Sequence, residues 1–306
     1  MTNDRRPANG ARARRRAAAL AAAVGGCALV AAATTPAAAR PAGHHGHRLT
    51  YVALGDSYTS GPGIPTQVDA DCARSDQNYP SLVALRAEAR TFTDVSCSGA
   101  TTVQMWQAQG TNRPQLKAVS RNTDLVTLQI GGNDVGFGGI IATCARLGVQ
   151  DPTGNPCERS YEASGQDALA LAVRRTAPKV TEILRAVHAR APHARVVVVG
   201  YPDLLPDDGV GCFPQVPFAQ GDFSYLRDTE KRLNLMLRTV AGRNRAEYVD
   251  TYGPTVGHDM CKAPADRWIE PLQPAAPAAP AHPNARGEQA MAGAVLHRLA
   301  ENHGHR

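Results

Sequence analysis

Four short segments carry side chains that can do chemistry, and three of them stand where an apolar run ends in a Gly-rich turn. They are Gly55-Asp56-Ser57, Ser98-Gly99-Ala100-Thr101, Gly131-Gly132-Asn133-Asp134 and Ala281-His282-Pro283-Asn284. Ser57 offers a hydroxyl that becomes a nucleophile when a neighbouring base takes its proton. His282 offers that base. The Gly99 and Ser57 N–H groups and the Asn133 side-chain amide can stabilise an oxyanion, so the set is typical of acyl transfer.

Other residues compete for the role of base. The chain has ten His, most of them near its ends or in predicted helices. His258, beside Asp259, is the one serious alternative to His282. The segment around Ser57 lacks the second glycine of the G-x-S-x-G elbow, which argues against an α/β-hydrolase.

Alternating strand and helix patterns surround these segments. Apolar, β-prone runs cover residues 49–54, 91–95, 124–130, 194–200 and 246–249, and helical spacing covers residues 80–89, 167–190, 222–243 and 285–299. This alternation predicts an α/β fold with a parallel sheet. Ser57, Gly99 and Asn133 each follow a strand, so we expect them at the same carboxyl edge of the sheet. Three long loops, residues 62–78, 202–221 and 252–280, are candidates for functional segments.

The first 39 residues are predicted to be a signal peptide. Six Arg precede an apolar, Ala-rich run, and Ala37-Ala38-Ala39 resembles a cleavage site, so we expect cleavage near Ala39/Arg40 and secretion. A transmembrane anchor and lipoprotein processing at Cys27 are the alternatives. Residues 40–48 are predicted to be flexible, and residues 49–306 to form a single domain. The leader holds most of the net charge of +6, so the basic balance does not indicate nucleic-acid binding.

Cysteine content agrees with export. Beyond Cys27 the chain has six cysteines, an even number that predicts disulfides in a secreted protein. Pairing in sequence order is the simplest arrangement, and it gives Cys72–Cys97, Cys144–Cys157 and Cys212–Cys261. Buried free thiols are the alternative. The spacing of cysteine and histidine does not suggest zinc.

In combination, the four segments resemble the SGNH (GDSL-type) hydrolase family, and most of all its secreted actinobacterial lipases and esterases, over about residues 49–301. The resemblance implies a flavodoxin-like three-layer α/β/α sandwich with a five-stranded parallel sheet. It also implies that Ser57 is the nucleophile, that His282 is the base, and that Ser57, Gly99 and Asn133 form the oxyanion hole. Most members have an Asp three residues before the His, where this chain has Ala279.

Some members of the secreted lipase branch are similar at this position and use a backbone carbonyl there to orient the imidazole. The resemblance therefore implies a Ser57–His282 dyad in which the Ala279 backbone carbonyl orients the imidazole. An Asp from elsewhere, Asp259 or Asp266, is the alternative.

The expected function is a secreted lipase or carboxylesterase that acts on a lipid or small ester. A carbohydrate O-deacetylase or a phospholipase is the alternative within hydrolases, and a non-catalytic binding module is the alternative outside them. Only two Trp, Trp106 and Trp268, are available as platforms for sugar rings, which favours lipid or simple esters. We expect no cofactor, no metal ion, no nucleic-acid partner, no stable membrane anchor and a monomeric protein.

Overall fold

A five-stranded parallel sheet positions the segments that carry the candidate chemistry. The computed structural model describes residues 49–301, so the expected signal peptide and the segment 40–48 lie outside the described residues. In chain order the strands are β1 (Thr50–Gly55), β2 (Gln67–Asp69), β3 (Arg74–Ser75), β4 (Thr91–Asp94), β5 (Leu125–Gln129), β6 (Arg195–Val199) and β7 (Glu247–Val249). The large sheet has the order β4-β1-β5-β6-β7, and β2 and β3 form a separate antiparallel pair.

Eight α-helices are found in the described part of the chain. They are α1 (Ser57–Ser60), α2 (Tyr79–Arg86), α3 (Gly132–Val135), α4 (Phe137–Gln150), α5 (Pro156–Glu162), α6 (Ala168–Arg190), α7 (Asp222–Arg243) and α8 (Ala285–Glu301). Short 3-10 helices cover Thr102–Met105, Gln115–Ala118 and Gly253–Thr255.

The central strands are buried on both faces, which explains their almost continuous apolar sequence. All of β5 is buried, as are the four valines of β6. Successive side chains of a strand point to opposite faces. Val126 and Val198 accordingly contact the core formed with α4, α6 and α7, whereas Leu125 and Val197 contact the core formed with α2 and α8. The result is the expected α/β/α arrangement of three layers.

Helices α4 and α5 were not predicted from the sequence. Both lie in a stretch rich in helix breakers, since Gly138 and Gly139 stand in the first turn of α4 and Pro152 precedes α5. The structure ties the two helices together with the Cys144–Cys157 disulfide. Tertiary packing and this cross-link therefore outweigh the low local propensity.

The six cysteines pair as the sequence order predicts. Cys72–Cys97 has its Cα atoms 4.2 Å apart, Cys144–Cys157 4.9 Å and Cys212–Cys261 5.5 Å. The first joins the loop after α1 to the turn that carries Gly99, and the last joins loops 202–221 and 252–280. Within residues 49–301, no helix has the length and apolar character needed to cross a bilayer.

Candidate active site

Ser57 and His282, which are 225 residues apart in the chain, meet at the carboxyl edge of the sheet. Ser57 begins α1 directly after β1. Its Oγ lies 2.7 Å from Nε2 of His282, a distance suited to proton transfer from the hydroxyl to the imidazole.

A backbone carbonyl orients the imidazole, but it is not the one expected. Nδ1 of His282 lies 2.7 Å from the carbonyl oxygen of Pro280. The Ala279 carbonyl instead accepts the backbone N–H of His282 at 3.2 Å. Between them Ala281 has a φ of 59°, and this left-handed residue turns the chain so that the Pro280 carbonyl meets the ring. The prediction that the Ala279 carbonyl contacts the imidazole was therefore wrong by one residue.

The contact with Pro280 fixes the tautomer of His282. A carbonyl oxygen only accepts, so Nδ1 must carry the proton that it shares with Pro280. Nε2 is then left as the acceptor for the Ser57 hydroxyl. Burial lowers the pKa of His282 below its ordinary value of 6.5, against the opposing effect of the Pro280 carbonyl. The neutral imidazole that a base requires is thus favoured near neutral pH.

The residues that competed for these roles have other partners. Nδ1 of His258 contacts the Asp266 backbone carbonyl, and its ring stacks on Trp268 with the ring centroids 3.5 Å apart. Asp259 accepts the Cys261 backbone N–H at 2.8 Å. In the described residues neither Asp259 nor Asp266 hydrogen-bonds to His282, so no carboxylate supports the imidazole directly.

The expected oxyanion donors follow β4 and β5, the two strands that flank β1, and Ser57 directly follows β1. Gly99 has a φ of 78°, a conformation that favours glycine, and the carbonyl of Ser98 beside it is held by Gln109 at 2.7 Å. Within residues 49–301, the Ser57 and Gly99 N–H groups donate to no protein acceptor. Asn133 donates one amide hydrogen to the Ala100 carbonyl at 2.9 Å, which leaves its second hydrogen for a ligand.

Asp134 links the turn that carries Asn133 to the segment that follows the Gly99 turn. Its carboxylate accepts the backbone N–H of Thr102 at 2.8 Å and the Thr102 hydroxyl at 2.6 Å. Lys179 of α6 lies 3.0 Å from the same carboxylate. Asn133 is therefore held next to the Gly99 turn by its own side chain and by that of its neighbour.

An apolar cavity opens beside Ser57. Aliphatic and aromatic side chains from α3, α4, α7 and the loops after β6 form most of its wall. They include Val135, Ile140, Leu204, Phe218, Leu226 and Met260. Such a cavity suits the aliphatic part of a ligand whose polar end lies at Ser57.

Aromatic rings that the sequence analysis did not single out enclose His282. The ring of Tyr58 stacks on it with the centroids 4.8 Å apart, and the Phe137 ring meets it edge-on at 5.8 Å. The Tyr58 hydroxyl donates to the Ala281 carbonyl at 2.6 Å. Tyr58 was detectable as the neighbour of Ser57, whereas no pattern marks Phe137, because it lies at the start of the unpredicted helix α4.

A buried ion pair supports the loop that presents His282. Arg267 and Glu270 are 4% and 1% exposed, and their side chains meet at 3.0 Å. Glu270 also accepts the N–H groups of Ala275 and Ala276 and the amide of Asn284. Burial raises the pKa of Glu270, but these hydrogen bonds and Arg267 outweigh that effect and hold it below its usual value.

Comparison with known proteins identifies the family. The chain matches the GDSL-like lipase/acylhydrolase family over residues 53–290. It is 44% identical over 250 residues to Lipase 2 of Streptomyces coelicolor, which covers 80% of this chain and 83% of that protein.

Two solved structures share the fold over nearly their whole length. Phospholipase A1 from Streptomyces albidoflavus NA297 is 28% identical with a TM-score of 0.69, covering 83% of this chain and 99% of that one. The extracellular lipase from Streptomyces rimosus is 27% identical with a TM-score of 0.67, covering 82% and 99%. Because the family match spans well over half of the chain and includes Ser57, Gly99, Asn133 and His282, this chain belongs to the GDSL-like lipase/acylhydrolase family.

Proposed function

We propose that this protein is a secreted serine ester hydrolase, a lipase or carboxylesterase, that cleaves acyl esters through an acyl-enzyme. The observation that carries the proposal is the 2.7 Å contact between Ser57 Oγ and His282 Nε2 beside an apolar cavity. The family and the relatives named lipase and phospholipase A1 support the same reaction class.

In the first half-reaction Ser57 Oγ bonds to the ester carbonyl carbon while His282 Nε2 takes the hydroxyl proton. The carbonyl oxygen gains the electron pair of the broken π bond and rests on the Ser57 N–H, the Gly99 N–H and the free amide hydrogen of Asn133. The Pro280 carbonyl stabilises the imidazolium through Nδ1–H. Collapse of the intermediate expels the alcohol, which takes the proton from His282.

In the second half-reaction water attacks the acyl-enzyme. His282 removes a proton from this water, and the oxyanion donors act again. The carboxylic acid leaves as Ser57 regains its proton. No step requires a cofactor, and among residues 49–301 no cluster of three or more potential metal ligands is present.

The acyl chain is assigned to the cavity, because most of the side chains that line it are apolar. Aliphatic esters are therefore the proposed substrate class. A phospholipid is the second candidate, favoured by the likeness to phospholipase A1 of Streptomyces albidoflavus. Export is supported by the basic and apolar N-terminal segment and by three disulfides. All proposed site residues come from one chain, so a monomer suffices.

The test is hydrolysis of p-nitrophenyl esters from acetate to palmitate by the wild type and by Ser57→Ala. We expect the wild type to be active and Ser57→Ala to lose activity by several orders of magnitude, as removal of a nucleophilic serine does elsewhere (about 10⁶-fold). Ser224→Ala, on the exposed side of α7, is the matched control and should keep wild-type rates. An organophosphate should label Ser57 covalently.

Substrate outcomes separate the candidates. Rates that rise with chain length support the cavity as the acyl site, and cleavage of phosphatidylcholine vesicles supports the phospholipid. Activity confined to acetylated sugars would contradict the assignment of the acyl chain to the cavity. Near wild-type turnover by Ser57→Ala would refute the whole mechanism.

A further inference from the structure

Tyr201 lies just beyond the carboxyl end of β6, where it is buried and lines the cavity. It is 3% exposed, and its ring meets that of Tyr58 edge-on with the centroids 5.1 Å apart. The side-chain amide of Asn234 in α7 fixes its backbone: it accepts the Tyr201 N–H at 2.8 Å and donates to the Tyr201 carbonyl at 2.9 Å. The ring therefore has little freedom to move.

The hydroxyl of Tyr201 bridges the two turns that carry Ser57 and Asn133. It accepts the backbone N–H of Gly132 at 2.9 Å and donates to Oδ2 of Asp56 at 2.6 Å. The other oxygen of Asp56 accepts the Tyr58 N–H at 3.0 Å. Gly132 immediately precedes Asn133, and Asp56 and Tyr58 flank Ser57, so the bridge runs from one oxyanion donor to the nucleophile.

Other side chains hold one turn but not both. Gln115 clamps the backbone N–H and carbonyl of Gly55 at 2.8 and 2.9 Å. Asp134 ties its own turn to Thr102. Of the side chains in residues 49–301, only Tyr201 hydrogen-bonds to both the Ser57 turn and the Asn133 turn. A hydroxyl suits this position because it donates and accepts at the same time.

The Tyr201 ring packs closely against the backbone of Gly132. A Cβ on Gly132 would lie 3.2 Å from the Tyr201 hydroxyl oxygen, closer than an ordinary contact. An oxyanion hole depends on donors placed before the charge develops, at about 2.7–3.1 Å from the oxyanion. A small change in the distance between the two turns would therefore reduce the stabilisation of the transition state more than the affinity for the substrate.

We propose that the Tyr201 hydroxyl is a positioning group that fixes the Asn133 amide relative to Ser57 and so preorganises the oxyanion hole. It acts through Gly132 and Asp56, and it forms no hydrogen bond with Ser57 or His282. The inference rests on the proposed ester hydrolase function.

The experiment compares Tyr201→Phe with Tyr225→Phe. Tyr225 is a matched control, because it is also buried and donates to a carboxylate, Asp167, at 3.0 Å, but it does not line the cavity. We expect Tyr201→Phe to lower kcat at least about tenfold with KM for a short-chain ester nearly unchanged, since the loss falls on the transition state. Tyr225→Phe should keep kcat within about twofold of the wild type.

Two further readouts distinguish positioning from general loosening of the fold. Affinity for a boronic acid transition-state analogue should fall by the same factor as kcat/KM across the variants. The double variant Asp56→Ala/Tyr201→Phe should be no slower than the slower single variant, because each change removes one partner of the same hydrogen bond. If Tyr201→Phe does not fold, Asp56→Ala, which removes the acceptor of the Tyr201 hydroxyl, must show the same split between kcat and KM.

The outcomes separate this inference from the function on which it rests. A wild type that cleaves no ester refutes both. If the wild type is active and Tyr201→Phe retains its kcat, the inference alone is wrong. It is also overturned if Tyr201→Phe raises KM with kcat intact, or if analogue affinity stays constant while kcat/KM falls.

Discussion

At the scale of single residues, the chemistry depends on how His282 is held between two oxygen atoms. The Pro280 carbonyl occupies one ring nitrogen and the Ser57 hydroxyl the other. A carbonyl bears only a partial charge, so it orients the ring and stabilises the imidazolium without the full attraction of a carboxylate. Two measurements follow from this arrangement.

The first concerns the absence of a supporting carboxylate. Asp259→Asn and Asp266→Asn should each leave kcat within about tenfold of the wild type, a change in barrier below about 1.4 kcal/mol. His282→Ala should lose several orders of magnitude, because the proton acceptor is gone. In serine proteases the orienting Asp is worth about 10⁴ in kcat. A loss of that size in a folded Asp259 or Asp266 variant would reveal a carboxylate that acts on His282.

The second concerns the titration of His282. Because burial lowers its pKa, the ring should lose its proton at a pH below 6.5. The Cε1–H resonance can be followed by NMR in Ser57→Ala, in which no acyl-enzyme forms, and assigned by its loss in Ser57→Ala/His282→Ala. A midpoint above 6.5 for His282 would show that the imidazolium is stabilised more than the neutral ring.

At the scale of elements, the loop 252–284 must deliver His282 although it contains almost no regular structure. Instead of a strand or helix, the Arg267–Glu270 pair and the backbone groups that Glu270 binds define its path. Asn284 links this network to α8, since its side-chain oxygen accepts the N–H groups of Arg286 and Gly287 in the first turn.

Glu270→Gln is expected to destabilise the protein and to slow the reaction. It leaves the Arg267 guanidinium buried without its counter-charge, a change that costs about 3–5 kcal/mol. Thermal unfolding should show the loss of stability, and kcat should fall because the segment 279–282 is no longer fixed. Arg159→Gln, which removes an exposed pair with Asp151, should change stability by less than about 1 kcal/mol. Equal effects of the two changes would contradict the role given to Glu270.

The same loop marks the limit of prediction from sequence. Strands β5 and β6 were predictable because both of their faces are buried, and helices α6 and α7 because their apolar residues recur with helical spacing. The choice of Pro280 over Ala279 depends on the left-handed conformation of Ala281, which no periodic pattern encodes. Helix α4, and with it Phe137, was missed because its glycines are unfavourable for a helix until tertiary contacts are made.

At the scale of the whole molecule, several carboxyl groups are buried without a charged partner. Glu288 of α8 is fully buried, its Oε2 accepts the Tyr79 N–H at 2.7 Å, and its Oε1 has no partner in the described residues. Burial raises its pKa well above 4.5, and Asp94 nearby adds to the shift. Burial likewise raises the pKa of Asp56 to about 7.

Each of these groups makes a contribution of known sign to the pH dependence of stability. A carboxyl whose folded-state pKa is raised contributes stability that is complete below its unfolded-state pKa of about 4.5 and is lost as pH rises through the folded-state value. Glu288→Gln keeps an acceptor for Tyr79 and removes the titration. The difference between the Tm of Glu288→Gln and the Tm of the wild type should therefore increase as the pH is raised from 5 to 8. Glu182→Gln, on the exposed face of α6, should show no such trend.

The contact between Ser57 and His282 also governs when the molecule first becomes reactive. The two residues are 225 positions apart, and the base stands immediately before α8, whose Met291 and Val295 complete the core on one face of the sheet. A nascent chain that ends before residue 282 contains the serine but no base to activate it. Synthesis must therefore pass residue 282, and α8 must dock on the sheet, before His282 can lie beside Ser57. An unfolded chain, in which this contact has not formed, therefore holds Ser57 without a base beside it.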